Sequence, residues 1–134
     1  MHVTGACHCG KITYEADIDT EAVSMCHCTD CQTLSGTAFR TVASVKKENL
    51  KMLSGEPKVY IKTAESGNKR AQAFCADCGT PLWATTPVDP QTFGLRVGAI
   101  KQRDQLVPKK QVWGRSAQGW LSQLGSITRL EKQQ

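Results

Sequence analysis

The chain has 134 residues and a mass of 14.6 kDa, which is enough for one domain with a single hydrophobic core. Aromatic residues make up only 6% of it, so a fold of this size needs a stabilising element besides side-chain packing. The formal charge of +5 is modest, and no apolar run approaches the roughly 20 residues that cross a bilayer, which argues against a membrane-spanning protein.

Short stretches rich in β-branched and aromatic residues follow one another along the chain, separated by glycine and proline. This pattern predicts a mainly β fold built from antiparallel sheets. No repeat, low-complexity tract or linker divides the chain, so we expect one zinc-binding domain over residues 1–134. The predicted strands span residues 11–17, 37–45, 57–63, 71–75, 80–86, 92–100 and 111–114.

One helical pattern stands near the C-terminal end. Ser116 is a suitable N-cap for the segment AQGWLSQLG, and Gly125 is a suitable stop. Trp120, Leu121 and Leu124 would share one face of that helix. Gly119 weakens the helix, so the sequence predicts a short one.

The seven cysteines fall into three tight clusters, which is unlike the scattered spacing of a disulfide framework. The first residues, MHVTGACHCG, lack the basic and apolar segments of a secretory signal. We therefore expect a soluble, cytoplasmic protein whose thiols stay reduced and bind zinc. The clusters are Cys7 and Cys9; Cys26, Cys28 and Cys31; and Cys75 and Cys78.

Two of these clusters form half-sites that each end in glycine, CHCG and CADCG. Joined, they would give four thiolates and a closed structural zinc site. The third cluster supplies three thiolates to one ion and leaves a position open, which is the arrangement of catalytic zinc sites. The structural set is Cys7, Cys9, Cys75 and Cys78, and the three-thiol set is Cys26, Cys28 and Cys31.

A plainer interpretation stays open, in which a distant residue completes the three-thiol site and both metals only stabilise the fold. His8 and His27 are adjacent candidates for that role. Each lies between two cysteines of a Cys-His-Cys triplet, where extended backbone turns its side chain to the opposite face. We therefore predict that neither histidine is a ligand.

The order of these motifs carries a family resemblance over nearly the whole chain. The chain resembles the glutathione-dependent formaldehyde-activating enzymes, a family that includes the centromere protein V type of domain. The three cysteine clusters are the specific part of the match. The segments that carry the resemblance are GACHCG (5–10), CHCTDCQTLSGTAF (26–39), FCADCGTPLW (74–83) and VWGRSAQGW (112–120).

The resemblance implies a fold like that of the Mss4 zinc proteins, with stacked sheets. Together with the sequence pattern it predicts stacked antiparallel sheets, zinc knuckles and one short C-terminal helix. It also implies two zinc ions in each chain. By the resemblance, the closed four-cysteine set matches the structural zinc ligands of the family. The ligands of its catalytic zinc match Cys26, Cys28 and Cys31.

The activity implied by the resemblance is the condensation of glutathione with formaldehyde to S-(hydroxymethyl)glutathione, a carbon–sulfur lyase reaction in reverse. An open zinc suits this chemistry because it can bind the glutathione sulfur and hold it as a thiolate. Thiols also add to formaldehyde unaided, so a non-catalytic glutathione carrier is the first alternative.

A zinc-ribbon module that binds nucleic acid or protein is the second alternative. Seven thiolates and two Zn²⁺ would lower the formal charge from +5 to about +2, and the basic residues are dispersed. Nucleic-acid binding is therefore disfavoured. A methionine sulfoxide reductase is weaker still, because that class needs two Cys-x-x-Cys pairs and this chain has one clean pair, CADC.

Glutathione carries two carboxylates, so its pocket needs cations or backbone donors near the metal. We single out Arg115 because it lies between Trp113 and Trp120, whose rings could flank an anionic tripeptide. These three residues are the predicted substrate contacts. The arginines considered for the role are Arg40, Arg70, Arg96 and Arg115.

Overall fold

The computed structural model describes residues 1–133, in which ten short strands form two sheets. The predicted mainly β fold is thus confirmed. The strands are β1 (His2–Ala6), β2 (Thr13–Asp17), β3 (Val23–Cys26), β4 (Arg40–Lys46), β5 (Leu50–Ser54), β6 (Lys58–Thr63), β7 (Lys69–Phe74), β8 (Pro81–Thr85), β9 (Thr92–Arg96) and β10 (Lys110–Val112).

Helical structure is brief in the described residues. The α-helix α1 (Thr29–Ser35) ends at Gly36, which adopts the left-handed conformation that favours glycine (φ 70°). None of the described helices is long and apolar enough to cross a membrane. The 3₁₀ helices span Thr20–Ala22, Lys47–Asn49, Val97–Ala99, Arg103–Gln105, Gly114–Ser116 and Gly119–Ser126.

The two sheets differ in size. The small sheet has the strand order β1-β2-β5, and the large one has the order β10-β3-β4-β9-β8-β7-β6. Neighbouring strands are antiparallel except β10, which runs parallel to β3. The ring of Tyr14 on β2 meets the ring of Trp83 on β8 edge to face, with centroids 5.9 Å apart, so the small sheet packs on the large one.

The large sheet has one apolar face and one polar face, because successive side chains of a strand point to opposite sides. The apolar face is buried in the core, where the strand register aligns Val23, Ala43, Leu95, Trp83 and Ala73. On the other face the same register brings together side chains that are polar or carry sulfur. These are Cys26, Arg40, Arg96, Gln72 and Tyr60.

The C-terminal helix lies where the sequence predicts it, with two differences. It is a 3₁₀ helix, and its N-cap is Gln118 without a side-chain hydrogen bond. Ser116 ends the preceding 3₁₀ turn, so the predicted N-cap is wrong. The two glycines of GWLSQLGS disfavour α geometry, and Trp120 and Leu124 are about half exposed, so packing does not compensate.

Candidate functional site

The first cysteine cluster joins the N-terminal segment to the middle of the chain. The Sγ atoms of Cys7, Cys9, Cys75 and Cys78 all lie within 4.8 Å of one another. Cys9 Sγ is 3.6 Å from Cys7 Sγ and 3.7 Å from Cys75 Sγ. Four sulfurs bound to one zinc at about 2.3 Å are roughly 3.8 Å apart, so the donor set fits a tetrahedral zinc.

Two tight turns bring these sulfurs together. In each turn a glycine follows the last cysteine and has positive φ, 82° at Gly10 and 78° at Gly79. The Gly10 N–H donates to the Cys7 carbonyl at 3.0 Å, and the Gly79 N–H donates to the Cys75 carbonyl at 2.8 Å. Residues with a Cβ disfavour this conformation, which explains the trailing glycine of both half-sites.

Thr80 links the two turns and was missed by the sequence analysis. Its hydroxyl accepts the His8 N–H at 2.9 Å and donates to Cys78 Sγ at 3.2 Å. That hydrogen bond is the largest of several effects that lower the pKa of Cys78 to about 5. The only sequence signal for Thr80 is its position directly after CADCG.

The second cluster is formed by three cysteines that are close together in sequence. Cys26 ends β3, Cys28 is the N-cap of α1, and Cys31 lies in the first turn of that helix. Their three Sγ atoms lie within 4.8 Å of one another, and no further cysteine, histidine or carboxylate of residues 1–133 joins them. The Cys31 N–H donates to Cys28 Sγ at 3.3 Å, so the helix turn itself sets the spacing of these two sulfurs.

Three thiols this close cannot all ionise without a cation. Burial and the sulfurs of Cys28 and Cys26 raise the pKa of Cys31 to about 12. Burial also opposes ionisation of Cys28, but hydrogen bonds from Cys31 outweigh it and lower the pKa of Cys28. One sulfur thus keeps its proton until a cation replaces it, as expected of thiols that bind a divalent metal. This cluster could therefore also hold a metal ion.

Both histidines that neighbour the clusters lie outside these groups of sulfurs. His27 is 1% exposed, and its Nε2 is 2.7 Å from Gln111 Oε1. Its Nδ1 is buried and has no hydrogen-bond partner in the described structure. His8 is exposed.

A cleft of about 370 Å³ lies beside the second cluster and is lined by Cys28, Lys62, Trp113 and Arg115. The Arg115 guanidinium lies 4.9 Å from the centre of the Trp113 ring. Trp113 has φ 56°, an unfavourable backbone conformation for a bulky side chain. Two of the three predicted substrate contacts therefore lie beside a cysteine of the cluster.

Trp120 is placed differently. It lies in the 3₁₀ helix Gly119–Ser126, is 46% exposed and does not line this cleft. The structure thus does not bring the second tryptophan to Arg115.

Gln32 ties the C-terminal segment to the three-cysteine cluster. Its Nε2 donates to the His27 carbonyl at 2.8 Å and to the Ser116 carbonyl at 3.0 Å. Its Oε1 accepts from Gln118 Nε2 at 2.8 Å. One side chain on α1 therefore fixes the segment that carries Trp113 and Arg115.

The other three candidate arginines lie on the polar face of the large sheet. Arg40 and Arg96 are 6% and 9% exposed, and both reach Gln72 Oε1, at 3.4 and 2.7 Å. Burial and the charge of Arg40 lower the pKa of Arg96 to about 9. Arg70 is less buried and lines neither of the cavities that meet at this pair.

Comparisons with known proteins agree with this geometry. The family model described as glutathione-dependent formaldehyde-activating enzyme matches residues 2–116, a span that includes both cysteine clusters, Trp113 and Arg115 but ends before Trp120. A structural-genomics crystal structure of a Rhodobacter sphaeroides protein is similar, with a TM-score of 0.60 and 18% identity. The alignment covers 81% of this chain and 98% of that chain, and it shows a shared fold. No curated protein matched the chain.

Proposed function

The chain belongs to the glutathione-dependent formaldehyde-activating enzyme family, and on that premise we propose that it is a zinc-dependent enzyme of the carbon–sulfur lyase type. The reaction is the reversible condensation of glutathione with formaldehyde, or a related small aldehyde, to S-(hydroxymethyl)glutathione. Its proposed setting is the cytoplasm, and its proposed cofactors are two zinc ions per chain, one in each cysteine cluster.

The difference between the two clusters carries this proposal. Four sulfurs converge in one of them and three in the other. A four-sulfur site is closed to further ligands, which suits a structural metal, whereas a three-sulfur site leaves one position for a substrate atom. The structural role is therefore assigned to Cys7, Cys9, Cys75 and Cys78, and the catalytic role to Cys26, Cys28 and Cys31.

A zinc ion held by the three thiolates would lower the pKa of a substrate thiol and keep it as a thiolate at neutral pH. The cysteine side chains determine the position at which the substrate sulfur binds. Cys28 and Cys31 are held by the first turn of α1, and Cys26 is held by the ladder between β3 and β4. A rigid three-point donor set of this kind lowers the entropic cost of positioning the substrate.

The reaction needs no redox partner. The thiol proton leaves to solvent, and the thiolate sulfur forms a bond with the carbonyl carbon of formaldehyde. The electron pair of the carbonyl π bond moves to oxygen, which takes up a proton. In the reverse direction the hydroxyl gives up its proton, its oxygen re-forms the carbonyl π bond as the C–S bond breaks, and the departing thiolate takes up a proton.

The cleft beside Cys28 is proposed to hold part of the tripeptide. Arg115 supplies a cation for a carboxylate, although its Nη2 lies 3.8 Å from Glu65 Oε2, and the Trp113 ring holds the guanidinium in place by stacking. Lys62 offers a second cation at the same cleft, although it is paired with Asp30 at 2.8 Å. Trp120 was predicted as a further contact, and that role is untested.

Calorimetric titration tests the proposal. Zinc-loaded protein should bind glutathione and bind S-methylglutathione far less well, because the methyl group blocks the thiolate. Cys28→Ser should abolish this preference while the four-cysteine site keeps its zinc. Equal binding of both tripeptides would refute sulfur anchoring, and no binding of glutathione would leave the second cluster with a structural role only.

A further inference from the structure

The buried pair Arg40 and Arg96 has no carboxylate partner. None of the ion pairs in residues 1–133 involves either guanidinium. Each guanidinium makes one hydrogen bond within the described structure, and both bonds go to the same neutral acceptor, Gln72 Oε1. Buried charges are costly unless they are paired, and two cations that share one amide oxygen are far from satisfied.

Two cavities meet at this pair. The larger, of about 480 Å³, is lined by both arginines and by Ser35, whose buried Oγ has no hydrogen-bond partner in the described structure. The smaller, of about 290 Å³, is lined by both arginines together with Tyr60 and Gln72. The unused N–H donors therefore adjoin open volume, and an orphan hydroxyl lies at the same larger cavity.

The pair also lies next to the three-cysteine cluster. Arg40 is directly opposite Cys26 in the ladder of β3 and β4, and side chains in such pairs start about 5 Å apart on one face of the sheet. Arg96 lies diagonally beyond, opposite Val42. A molecule whose sulfur reaches the cluster would thus have two guanidinium groups nearby on the same face of the sheet.

We propose that Arg40 and Arg96 form the subsite for a carboxylate of the thiol substrate, in the larger of the two cavities that this pair lines. A carboxylate there accepts hydrogen bonds from both guanidinium groups and from Ser35 Oγ, and it neutralises buried positive charge. The inference rests on the proposed function. It makes the enzyme selective for thiols that carry a carboxylate at a fixed distance from the sulfur, as glutathione does.

Calorimetry with two analogues tests the subsite on the unaltered zinc-loaded protein. One analogue has the glycine carboxylate of glutathione replaced by an amide, and the other lacks the α-carboxylate of the γ-glutamyl residue. One of the two should bind about 10- to 100-fold more weakly than glutathione, the usual effect of losing a hydrogen-bonded charge. Equal affinities of glutathione and both analogues would overturn the proposal without any variant.

The arginines are then tested with the same ligands. Arg96→Gln should weaken glutathione by about 10- to 100-fold and leave the affinity of the affected analogue within about twofold. Arg96→Lys keeps the charge but loses the planar guanidinium, so its affinity for glutathione should lie between those of the wild type and Arg96→Gln. Arg70→Gln removes a charge from the same sheet face but from neither cavity, and it should change affinity less than about twofold.

A different pattern would mean that Arg40 and Arg96 act on the cysteine sulfurs and not on a substrate carboxylate. If Arg96→Gln weakens glutathione and both analogues by one common factor, the arginines balance the charge of the cysteine cluster and the carboxylate subsite is wrong. Failure of wild-type protein to bind glutathione at all would instead refute the proposed function, and the subsite with it.

Discussion

Cys26 and Arg40 face each other across the antiparallel ladder of β3 and β4, and both side chains lie on the polar face of the large sheet. The opposite face of the same strands is buried in the core through Val23 and Ala43. Because successive side chains of a strand point to opposite sides, the two faces of this sheet have different roles. One face stabilises the fold, and the other holds a thiol of the proposed catalytic cluster next to a buried cation.

The two metal sites should release zinc at different rates. Four sulfurs close one site from solvent, whereas the three-sulfur site keeps an exchangeable position. A chelator should therefore remove one equivalent of zinc well before the second, as followed by a colorimetric zinc indicator. Release of both equivalents in one phase, or a maximum content of one zinc, would contradict the two-site assignment.

Serine in place of two different cysteines should separate folding from activity. Cys75 is 1% exposed and belongs to the four-sulfur cluster, so Cys75→Ser should prevent cooperative folding. Cys28→Ser should stay folded, because serine can keep the N-cap hydrogen bond to the Cys31 N–H. Circular dichroism and thermal unfolding measure both outcomes. A Cys28→Ser protein that fails to fold would assign that cluster a structural role.

Gln32→Ala should loosen the C-terminal segment without removing any thiol. The variant loses the hydrogen bonds to the His27 and Ser116 carbonyls, which should lower the free energy of unfolding by about 1 to 2 kcal/mol. Because that segment carries Arg115, the affinity for glutathione should also fall. Gln118→Ala, which loses only an exposed bond to Gln32, should cost less than about 0.5 kcal/mol. Similar losses in both variants would argue against the tether.

Arg115→Ala and Trp120→Ala should differ in glutathione affinity. Arg115 lines the cleft beside Cys28, and Trp120 does not. The arginine variant should bind glutathione about 3- to 10-fold more weakly, since Arg115 is exposed and contributes less than a buried charge would. The tryptophan variant should differ little from wild type by calorimetry. An equal loss in Trp120→Ala would favour the original sequence prediction over the cleft seen in the structure.

Removal of two hydroxyl groups should have opposite effects on stability. Tyr14 Oη is buried and has no hydrogen-bond partner in the described structure, so Tyr14→Phe should raise the free energy of unfolding by about 1 kcal/mol. Thr80 Oγ1 bonds both His8 and Cys78, so Thr80→Val should lower it by about 1 to 3 kcal/mol. Denaturant titration measures both, and a destabilised Tyr14→Phe protein would show that the hydroxyl is satisfied.

The cysteine clusters could be predicted from sequence because cysteines two or three positions apart can bind the same ion. The glycine after each half-site also indicates the tight turn that brings the sulfurs together. Residues 29–35 were not predicted as a helix, since three cysteines in a short polar segment indicate a metal knuckle before they indicate helix. Strands β1, β3 and β5 were missed for another reason. They are short, and much of their stability comes from ladder pairing, which a single segment does not display.

Arg40 and Arg96 were two of the four candidate arginines, but that they form a buried pair could not be predicted from the sequence. Arg40 and Arg96 are 56 positions apart in sequence, and only the register of β4 and β9 places them on one face. Arg115, by contrast, attracts notice in the sequence because tryptophans flank it. Aromatic neighbours in sequence proved a partial guide, since Trp113 stacks on Arg115 and Trp120 does not line the same cleft.

Catalysis at the three-cysteine site is tested most directly by exchange spectroscopy at equilibrium. Glutathione, formaldehyde and their adduct are mixed, and the rate of exchange between free and hydroxymethylated thiol is measured with and without zinc-loaded protein. We expect the protein to increase this rate without shifting the equilibrium, and the Cys28→Ser variant to leave it at the uncatalysed value. An unchanged rate with wild-type protein that binds glutathione tightly would contradict the account and make the protein a glutathione carrier.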